Sequence, residues 1–375
     1  MARILLVFEP PDGGVAENVA QLASQLSAHG FGVEAVGPPR ARIDPVLAAA
    51  GVAVHRLPLR RGYGAPADDA AALRGLIRLL RGKRYDLVHC HSAKAGVLGR
   101  LAAAACRVPA VYSPHSFPFI GDFSEARRCF ATATERLLAP LTRRIICVCE
   151  AERRVAREAG LADDGRLQVV LNGSAPCDGS AEIDPRLSAL REGGVLAASV
   201  AVLRPQKRVD VLIDAAPLVL ERMPEARIAV VGEGPLRTEL ESLARRRGLM
   251  DDARFAFVDY EGPPSRHLRA LDLYVLSSSW EGLPIGVLEA LACGVPQVAT
   301  DVGGTGEAVS AQTGVLVPRA DPAALAEAML ALLGDATRRH AMARASRELH
   351  TERFGVQRMV AETAAVYRQA LAGDA

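Results

Sequence analysis

The sequence predicts an α/β protein with two doubly wound parallel sheets, and three observations lead to this prediction. The chain has 375 residues, which is long for one hydrophobic core and suits two domains of roughly 150 to 200 residues. Short runs of β-branched residues alternate with amphipathic helical segments, which is typical of sheets made of βαβ units. The alternation breaks once, between Asn172 and Gly194, where Gly, Ser, Pro and Asp cluster.

The first half contains seven candidate strands separated by amphipathic segments. The segment after Gly13 and Gly14 is one such helix, because its apolar residues recur at helical spacing. The predicted strands are ILLVF (4–8), GVEAVG (32–37), VAVHRL (52–57), YDLVHC (85–90), AVYSPH (110–115), RIICVC (144–149) and LQVVLN (167–172).

The second half repeats the pattern with six candidate strands. They are VLAASVAVL (195–203), RIAVVG (227–232), RFAFVD (254–259), LYVLSS (273–278), PQVAT (296–300) and GVLVP (314–318). We therefore expect domains at 1–185 and 186–355, and a C-terminal helix within 356–375 that packs back on the first domain. Ligands of doubly wound sheets bind beyond the carboxyl ends of the strands, so we expect the functional loops there, facing a cleft between the domains.

Charge and cysteine content limit the classes of protein to which the chain can belong. A formal net charge of +2 does not favour a nucleic-acid partner. The start, MARILLVFEPPDGG, lacks the apolar core of a secretion signal, and no run of about 18 uncharged apolar residues predicts a membrane span. Seven cysteines without regular spacing argue against a disulfide framework and favour a reducing compartment. We expect a cytoplasmic protein.

The stretch WEGLPIGVLEALACGVP, at 280–296, carries the most informative pattern. Its loop follows the strand LYVLSS and leads into a helix predicted from Pro284 through Cys293, with Gly294 just after its end. The N-terminus of this helix offers N–H groups and a positive dipole end to phosphate or to a sugar oxygen.

Two glutamates of this stretch are candidate binding residues. Glu281 lies in the loop at the carboxyl end of the strand, and Glu289 lies within the helix about 40° from its apolar stripe. A carboxylate so close to a buried face needs hydrogen-bond donors, which sugar hydroxyls can supply. The alternative is a solvated helix acid next to a capping loop.

EGLPIGVLEALACGVP resembles the acid-x7-acid motif of family 4 glycosyltransferases, a large group of retaining enzymes with the GT-B fold. Six further stretches resemble the family in order along essentially the whole chain: DGGVAENVAQLASQLSAHGFGV, VHCHSAKAGVLGRLAA, VYSPHSFPF, LRPQKRVDVLIDA, RIAVVGEGPLRTEL and ATDVGGTGEAV. The resemblance implies two Rossmann-like domains and sugar transfer from a nucleotide diphosphate donor, with no metal and no other cofactor.

The resemblance also implies roles for particular residues of the second domain. Glu281 would lie against the donor sugar hydroxyls, and Glu289 would accept hydrogen bonds from the ribose. The backbone of Gly282, Leu283 and Pro284 would face the donor. Arg204 and Lys207, in RPQK, would grip the diphosphate. Two fixed cations suit a leaving group that gains negative charge; the alternative is a pair of surface cations at a helix start.

The first domain holds the remaining candidates. Gly13 and Gly14 lack the GxGxxG spacing of dinucleotide sites, so we expect them to let the backbone approach the donor phosphate or the acceptor. By resemblance, His115 lines the reaction centre, where it would bind the donor sugar or shape the acceptor site rather than act as a general base. His89 and His91 suggest a metal pair, but positioning within the core or a loop is favoured because no carboxylate accompanies them.

The implied reaction moves a sugar, from a UDP-linked or similar donor, to a hydroxyl of a lipid-linked glycan or a small natural product. Two alternatives are a nucleotide-sugar epimerase of related architecture and a non-catalytic nucleotide-sugar binding protein. Peripheral contact with the inner membrane face is a further hypothesis, set against a solvated face with internal ion pairs. It depends on the arginine pairs Arg127/Arg128, Arg143/Arg144 and Arg153/Arg154.

Overall fold

The computed structural model describes residues 1–60, 62 and 65–373, which form two compact units. The first unit comprises Met1–Gly173 and Val356–Ala375, and the second comprises Ser174–Gly355. The division lies between Gly173 and Ser174, ahead of the expected limit at residue 185, because Ser174 N donates to Phe354 O at 2.9 Å and so joins the second unit.

The described residues form thirteen strands, and every strand pairing is parallel. Continuous apolar runs become strands because both faces of a parallel sheet are covered. The strands are β1 Ala2–Phe8, β2 Phe31–Gly37, β3 Ala53–Arg56, β4 Leu87–His91, β5 Ala110–Ser113, β6 Arg144–Cys147, β7 Leu167–Val169, β8 Val195–Val200, β9 Ala226–Val231, β10 Phe255–Val258, β11 Leu273–Leu276, β12 Gln297–Thr300 and β13 Gly314–Val317.

The helices lie between the strands, and several begin at a side-chain cap. Asp321 and Asp335, for example, each accept a backbone N–H from three residues further on. The α-helices are α1 Gly13–Gln25, α2 Asp44–Ala49, α3 Pro66–Gly82, α4 Ala93–Cys106, α5 Glu125–Leu138, α6 Glu150–Glu158, α7 Pro185–Arg191, α8 Val209–Arg222, α9 Arg237–Arg246, α10 Pro264–Leu268, α11 Ile285–Cys293, α12 Thr305–Ala308, α13 Pro322–Leu333, α14 Ala336–Leu349 and α15 Val356–Ala372.

The sheet of the first unit has the order β3-β2-β1-β4-β5-β6-β7. The order reverses between β1 and β4, which is where a doubly wound sheet opens a crevice for ligands. The register places Phe8 beside His91 and His91 beside Ser113, so the carboxyl ends of β1, β4 and β5 are level with one another.

The sheet of the second unit has the order β10-β9-β8-β11-β12-β13. Its reversal point lies between β8 and β11. Both sheets are therefore doubly wound, and the predicted fold class of two Rossmann-like domains is confirmed.

The core of the first unit lies on both faces of its sheet. Ile4, Leu6 and Phe8 belong to the cluster that α1, α2 and α15 cover, whereas Leu5 and Val7 belong to the opposite cluster, under α3 to α6. Successive strand residues point to opposite faces, so a strand covered on both sides needs an unbroken apolar run. None of the helices in the described residues combines the length and apolar character needed to cross a membrane.

The C-terminal helix α15 belongs to the first unit. Tyr367 is fully buried, and its hydroxyl lies 2.6 Å from His89 Nδ1. Met359 Sδ accepts hydrogen bonds from Asn18 Nδ2 and Gly173 N, each at 3.2 Å. These contacts join the end of the chain to α1 and β4.

The predicted linker region contains two ordered features. Helix α7 begins within it, where Asp184 Oδ1 accepts from Arg186 N at 2.9 Å. Cys177 and Cys293 form a disulfide with a Cα–Cα distance of 4.8 Å. The irregular cysteine spacing argued against a disulfide framework, but the described residues hold this one disulfide beside five free cysteines. The 116-residue separation of the pair hides it from any spacing rule.

Candidate active site

Two loops of the second unit meet at the reversal point, one after β8 and one after β11. Ser279 N donates to Gln206 O at 2.9 Å. The hydroxyl of Ser277 donates to the carbonyl oxygens of Lys207 and Arg208, at 3.0 and 2.8 Å. The two loops therefore hold each other in place through direct hydrogen bonds.

Glu281 is the centre of this arrangement and is only 8% exposed. Its Oε1 lies 2.6 Å from Lys207 Nζ and accepts a hydrogen bond from Ser278 Oγ at 2.7 Å. Gln206 Nε2 lies 3.2 Å from Oε2. A buried carboxylate with three donors is held in one orientation and compensated in charge.

The segment after Glu281 brings its backbone against the loop that follows β12. Gly304 N donates to Gly282 O at 2.7 Å. Gly303 has φ +54°, and a Cβ there would lie 2.0 Å from Glu281 O, so only glycine allows this approach. Leu283 and Pro284 are buried beside it.

Helix α11 begins at Ile285, one residue later than predicted. Pro284 has an extended conformation, with φ −70° and ψ 121°, and is the N-cap residue rather than the first residue of the helix. The first N–H groups of α11 therefore follow directly on Gly282, Leu283 and Pro284.

Glu289 is half-buried on α11, about one turn after the helix begins at Ile285. Tyr274, on β11, is influenced electrostatically by both acids. Burial raises the pKa of Tyr274 above its ordinary range, and the nearby charges of Glu289 and Glu281 raise it further. Both carboxylates therefore lie close to the same buried phenol.

Arg204 stands at the start of the 3-10 turn that ends with Lys207, and its carbonyl accepts from Lys207 N at 3.0 Å. The preceding residue is held by the loop after β9, since Leu203 N donates to Glu233 O at 2.8 Å. Gly234 has φ +152°, and a Cβ there would lie 2.6 Å from Leu203 O. The backbone that carries both cations is thus fixed on either side.

In the first unit, His115 lies just beyond β5 in an unusual backbone conformation. Its φ is +52° and that of Ser116 is +86°, two successive left-handed values at residues with a Cβ. Such strain persists only where the surroundings impose it, and it clusters at functional sites. The strain therefore supports a functional role for this turn.

His115 Nε2 lies 3.0 Å from His91 Nδ1, and the rings are stacked with centroids 5.3 Å apart. Burial lowers the pKa of His115 to about 4 and that of His91 well below its usual value. Both rings are neutral near pH 7. A base of such low pKa is poorly matched to proton abstraction at that pH.

Glu152, on α6, braces this turn. Its Oε1 accepts from Ser116 N at 2.6 Å, and its Oε2 accepts from Val148 N at 2.7 Å. The carboxylate therefore links the loops after β5 and β6.

Glu9 follows β1 and is 3% exposed. Its Oε1 accepts from Ser92 Oγ at 2.5 Å and from Lys94 N at 3.3 Å. Three buried atoms at these strand ends have no hydrogen-bond partner among the described residues: Glu9 Oε2, His91 Nε2 and Ser116 Oγ. Buried polar atoms are rarely left unpaired, so they indicate that a polar ligand or water completes this region.

Gly13 and Gly14 form the first residues of α1, after the same strand. Gly13 has φ +75° and Gly14 is exposed. The structure therefore places Gly13, Gly14 and His115 beyond the carboxyl ends of the first sheet, and Arg204, Lys207 and Glu281 through Glu289 beyond those of the second.

His89 lies beside His91, with ring centroids 3.9 Å apart, but it has no unpaired atom of its own. Its Nδ1 lies 2.6 Å from Tyr367 Oη and its Nε2 lies 2.8 Å from Ser113 Oγ, so both ring nitrogens have protein partners. No group of three His, Cys, Asp or Glu side chains among the described residues is arranged to hold a metal ion. His89 is a core residue, as the favoured interpretation predicts.

Several residues of these sites were not identified from sequence. Gln206 lies inside RPQK, beyond the predicted strand 195–203, and Ser278 ends the predicted strand LYVLSS. Their positions near the carboxyl ends of strands were a usable signal. Glu9 and Glu152 carry no such signal in the sequence, because an acid next to a strand is common on protein surfaces.

Two family models match the chain. The model described as "Glycosyl transferase 4-like domain" matches residues 13–173, and the model described as "Glycosyl transferases group 1" matches residues 181–349. The two matches correspond closely to the two structural units.

Two curated relatives and one solved structure are similar to the chain. The D-inositol 3-phosphate glycosyltransferase of Kineococcus radiotolerans is 31% identical over 96% of this chain and 91% of its own. The UDP-Gal:alpha-D-GlcNAc-diphosphoundecaprenol alpha-1,3-galactosyltransferase of Escherichia coli is 28% identical over 63% of each chain. Anabaena HepE, crystallised with UDP and glucose, superposes with a TM-score of 0.83 over 98% of this chain and 100% of its own, at 21% identity.

Proposed function

Because the chain belongs to the GT4-type glycosyltransferases with the GT-B fold, we propose that it moves a sugar from a UDP-sugar to a hydroxyl acceptor. We propose that the transfer retains the anomeric configuration and needs no metal. The observation that carries the proposal is the Lys207–Glu281 pair at the reversal point of the second sheet, in which the carboxylate is buried and the lysine side chain is 23% exposed.

In this proposal the second unit holds the donor. Lys207 has three N–H donors, so it can keep its contact with Glu281 and still bind a phosphate oxygen. Arg204, on the same turn, adds a second cation. Within the described part of the chain, Glu281 Oε2 accepts one bond, the longer one from Gln206, and is well placed to accept from a sugar hydroxyl. Glu289 would accept from the ribose hydroxyls.

The reaction breaks the bond between the anomeric carbon and the phosphate oxygen, whose electron pair stays on the diphosphate. A new bond forms between that carbon and the acceptor oxygen, and the acceptor proton passes to the leaving phosphate oxygen. Charge therefore develops on the diphosphate, where Arg204 and Lys207 stabilise it without a metal.

The first unit would bind the acceptor. The unpaired Glu9 Oε2 and His91 Nε2 support this assignment, because a hydroxyl group can donate to the carboxylate oxygen and can pair with either tautomer of the imidazole. Gly13 and Gly14 would let the backbone come close to the bound substrates, and His115 would donate to or accept from a substrate oxygen. The relatives' names mention a diphosphoundecaprenol-linked sugar and an inositol phosphate, so the acceptor class stays open between a lipid-linked glycan and a small soluble molecule.

We also propose a cytoplasmic location. Five cysteines carry free thiols, which supports a reducing compartment. The disulfide between Cys177 and Cys293 instead favours an oxidising compartment. Fractionation of cells that express the protein would decide between a cytoplasmic location and an oxidising compartment.

A panel of nucleotide diphosphates tests the donor assignment first, because a ligand that binds only the folded state raises the melting temperature. We expect UDP to give the largest shift. Release of UDP from UDP-sugars, with and without EDTA, then tests the reaction and the metal independence. NMR of the new glycosidic bond reports the anomeric configuration.

The variants Lys207→Ala and Glu281→Gln test the site itself. We expect the rate of UDP release to fall by roughly 10² to 10³, the usual cost of losing one group that stabilises developing charge. Arg245→Ala, on the exposed face of α9, is the matched control and should keep the wild-type rate. Near-native rates in both site variants would contradict the assignment.

The same assays separate the two alternatives. Conversion of the donor to an epimer in the absence of acceptor would favour the epimerase. Tight UDP-sugar binding with no UDP release across an acceptor panel would favour a non-catalytic binding protein.

A further inference from the structure

The carboxyl ends of β1, β4 and β5 hold two buried side chains whose hydrogen-bonding capacity is only partly used. Glu9 is 3% exposed and His91 is fully buried, yet Glu9 Oε2 and His91 Nε2 have no hydrogen-bond partner in the described part of the chain. Ser116 Oγ, in the turn after β5, is a third buried atom of this kind. Buried polar atoms are rarely left unpaired, so a ligand with several hydrogen-bonding groups fits this place.

The three unpaired atoms belong to neighbouring side chains. Ser92 Oγ lies 2.6 Å from Glu9 O and 2.5 Å from Glu9 Oε1. Ser92 follows His91 in the chain, and His91 Nδ1 lies 3.0 Å from His115 Nε2. Ser116 is the next residue after His115. One ligand of the size of a sugar ring can therefore reach all three atoms.

The charge at these strand ends does not suit an anion. Glu9 Oε1 accepts from Ser92 Oγ and from Lys94 N, which leaves the second carboxylate oxygen for a ligand. Lys94 Nζ lies 2.7 and 2.6 Å from the two carboxylate oxygens of Asp69, and its side chain is only 10% exposed. Asp69 thus neutralises Lys94, so the ligand meets the charge of Glu9.

The two histidines of the site add no positive charge near pH 7. Burial lowers the pKa of His115 to about 4 and that of His91 well below its usual value. A neutral imidazole has one N–H donor and one acceptor nitrogen. A hydroxyl group has the same two capacities, so it can pair with His91 Nε2 in either tautomer and with Ser116 Oγ.

Glu9 Oε2 distinguishes a hydroxyl group from a phosphate group. A hydroxyl can donate to this oxygen, whereas a phosphate monoester carries a charge of about −1.5 to −2 at pH 7 and offers acceptor oxygens. Two like charges about 4 Å apart repel strongly near or below a protein surface, where the effective dielectric constant is lower than in water. The site therefore suits hydroxyl groups and disfavours phosphate.

We propose that Glu9 determines acceptor specificity: its Oε2 accepts a hydrogen bond from a hydroxyl of an uncharged sugar or polyol and excludes acceptors that carry phosphate at that position. The inference rests on the proposed function, and it deepens that function by naming the chemistry of the acceptor ring. It separates this chain from the relatives named as D-inositol 3-phosphate glycosyltransferases. A lipid diphosphate at another carbon of the ring does not conflict with it.

Binding of acceptor probes to the UDP-bound protein tests the substrate class without turnover. The uncharged probes are myo-inositol, glucose, galactose and N-acetylglucosamine; the charged probes are inositol 3-phosphate and the 6-phosphates of the three sugars. We expect at least one uncharged probe to raise the melting temperature of the UDP complex. Its phosphorylated counterpart should bind at least roughly 100-fold more weakly. Tighter binding of the phosphorylated probes, or no binding of any uncharged probe, would overturn the proposal.

Monodeoxy analogues of the best uncharged probe test for a direct contact with Glu9. In the wild type, removal of the hydroxyl that Glu9 binds should weaken binding roughly 10- to 100-fold, because it leaves a buried carboxylate oxygen unpaired. Glu9→Ala should weaken binding of the complete probe by a similar factor. The same deoxy analogue should then lose little more in Glu9→Ala, because the two changes remove one interaction. If the losses add for every deoxy analogue, Glu9 acts only through the fold and the proposal fails.

Glu9→Gln isolates the contribution of charge. Its amide oxygen can keep the bonds from Ser92 Oγ and Lys94 N, so the fold should persist while the discrimination against phosphorylated probes narrows by roughly tenfold or more. Glu158→Gln, exposed on α6, is the matched control and should keep the wild-type preference. An unchanged preference in Glu9→Gln would contradict the proposal.

The melting-temperature shift with UDP alone separates this inference from the proposed function. The proposed function places the donor on the second unit, so Glu9→Gln and Glu9→Ala should keep the wild-type shift with UDP, which also reports that they are folded. Absence of the UDP shift in the wild type would contradict the proposed function. A normal UDP shift together with a preference for phosphorylated probes would contradict only the role of Glu9.

Discussion

At the scale of single residues, His115 differs from a conventional catalytic histidine because it is neutral over the whole working range. Burial lowers its pKa to about 4, so the ring gains its proton only below that pH. We expect the rate of sugar transfer, measured as UDP release, to show no ionisation of His115 between about pH 5.5 and 8. An inflection in that range that disappears in His115→Gln would contradict this expectation.

His115→Ala tests the hydrogen-bonding role. We expect a rate lower by roughly 10² at every pH in that range, which is the usual loss for one hydrogen bond to the reacting group. His115→Gln should recover part of the rate, because its amide can still donate. His340→Ala, an exposed histidine of the second unit, should leave the rate unchanged.

Individual residues were predictable from sequence only where a short motif carries them. Glu281 and Lys207 stand in motifs directly after strands, and the structure brings them within 2.6 Å. The partner of His115 was not predictable, because His91 is brought beside it by strand register rather than by a motif. His91 and His89 also look alike in the sequence, and as residues i and i+2 of β4 they lie on the same face of the sheet, with ring centroids 3.9 Å apart. Their different partners depend on which neighbours lie at each point along the strand.

At the scale of elements, the buried Arg100–Glu135 pair holds α4 against α5. Both side chains are at most 2% exposed, and Tyr112 Oη donates to Glu135 Oε1 at 3.0 Å. The Arg100 guanidinium also lies over the Tyr112 ring, 4.0 Å from its centroid. The pair therefore joins two helices and β5 in one polar network inside an apolar core.

We expect Glu135→Ala to lower the free energy of unfolding by about 3 to 5 kcal/mol, because it leaves a buried arginine without its counter-charge. The double variant Arg100→Met with Glu135→Leu should recover most of that loss, since it removes both charges. Urea denaturation measures the free energy of unfolding of the single and the double variant. Glu125 is exposed on the same helix, so Glu125→Ala should change the free energy of unfolding by less than about 0.5 kcal/mol. An equal loss of stability in Glu135→Ala and Glu125→Ala would refute the argument.

The strands were predictable because buried parallel strands need continuous apolar runs, but their ends were not. The run YDLVHC at 85–90 became β4 at Leu87–His91, since the apolar pattern does not record where the neighbouring strand begins. The start of α11 was misplaced by one residue for a related reason. A proline suits both the N-cap and the first helical position, and only its ψ distinguishes them.

At the scale of the whole molecule, two features lie beyond local patterns: the return of α15 to the first unit and the disulfide of the second. The first was expected in the sequence analysis, as a C-terminal helix that packs back on the first domain. The second depends on contacts between the segment before α7 and the end of α11, which no local pattern encodes. Each feature joins distant parts of the chain within one unit.

The disulfide should therefore stabilise one unit and not the other. It closes a loop of 116 residues within the second unit, and restricting an unfolded chain in this way is worth about 2 to 4 kcal/mol. Under oxidising conditions we expect Cys177→Ser to speed amide hydrogen exchange in Ser174–Gly355 and to leave the first unit unchanged. Cys129→Ser, an exposed free thiol of the first unit, is the control. Reductant should raise the exchange rates of the wild type to those of Cys177→Ser and should not change the rates of that variant. Equal acceleration of amide exchange in both units of Cys177→Ser would contradict this prediction, because it would mean that the units share one unfolding equilibrium.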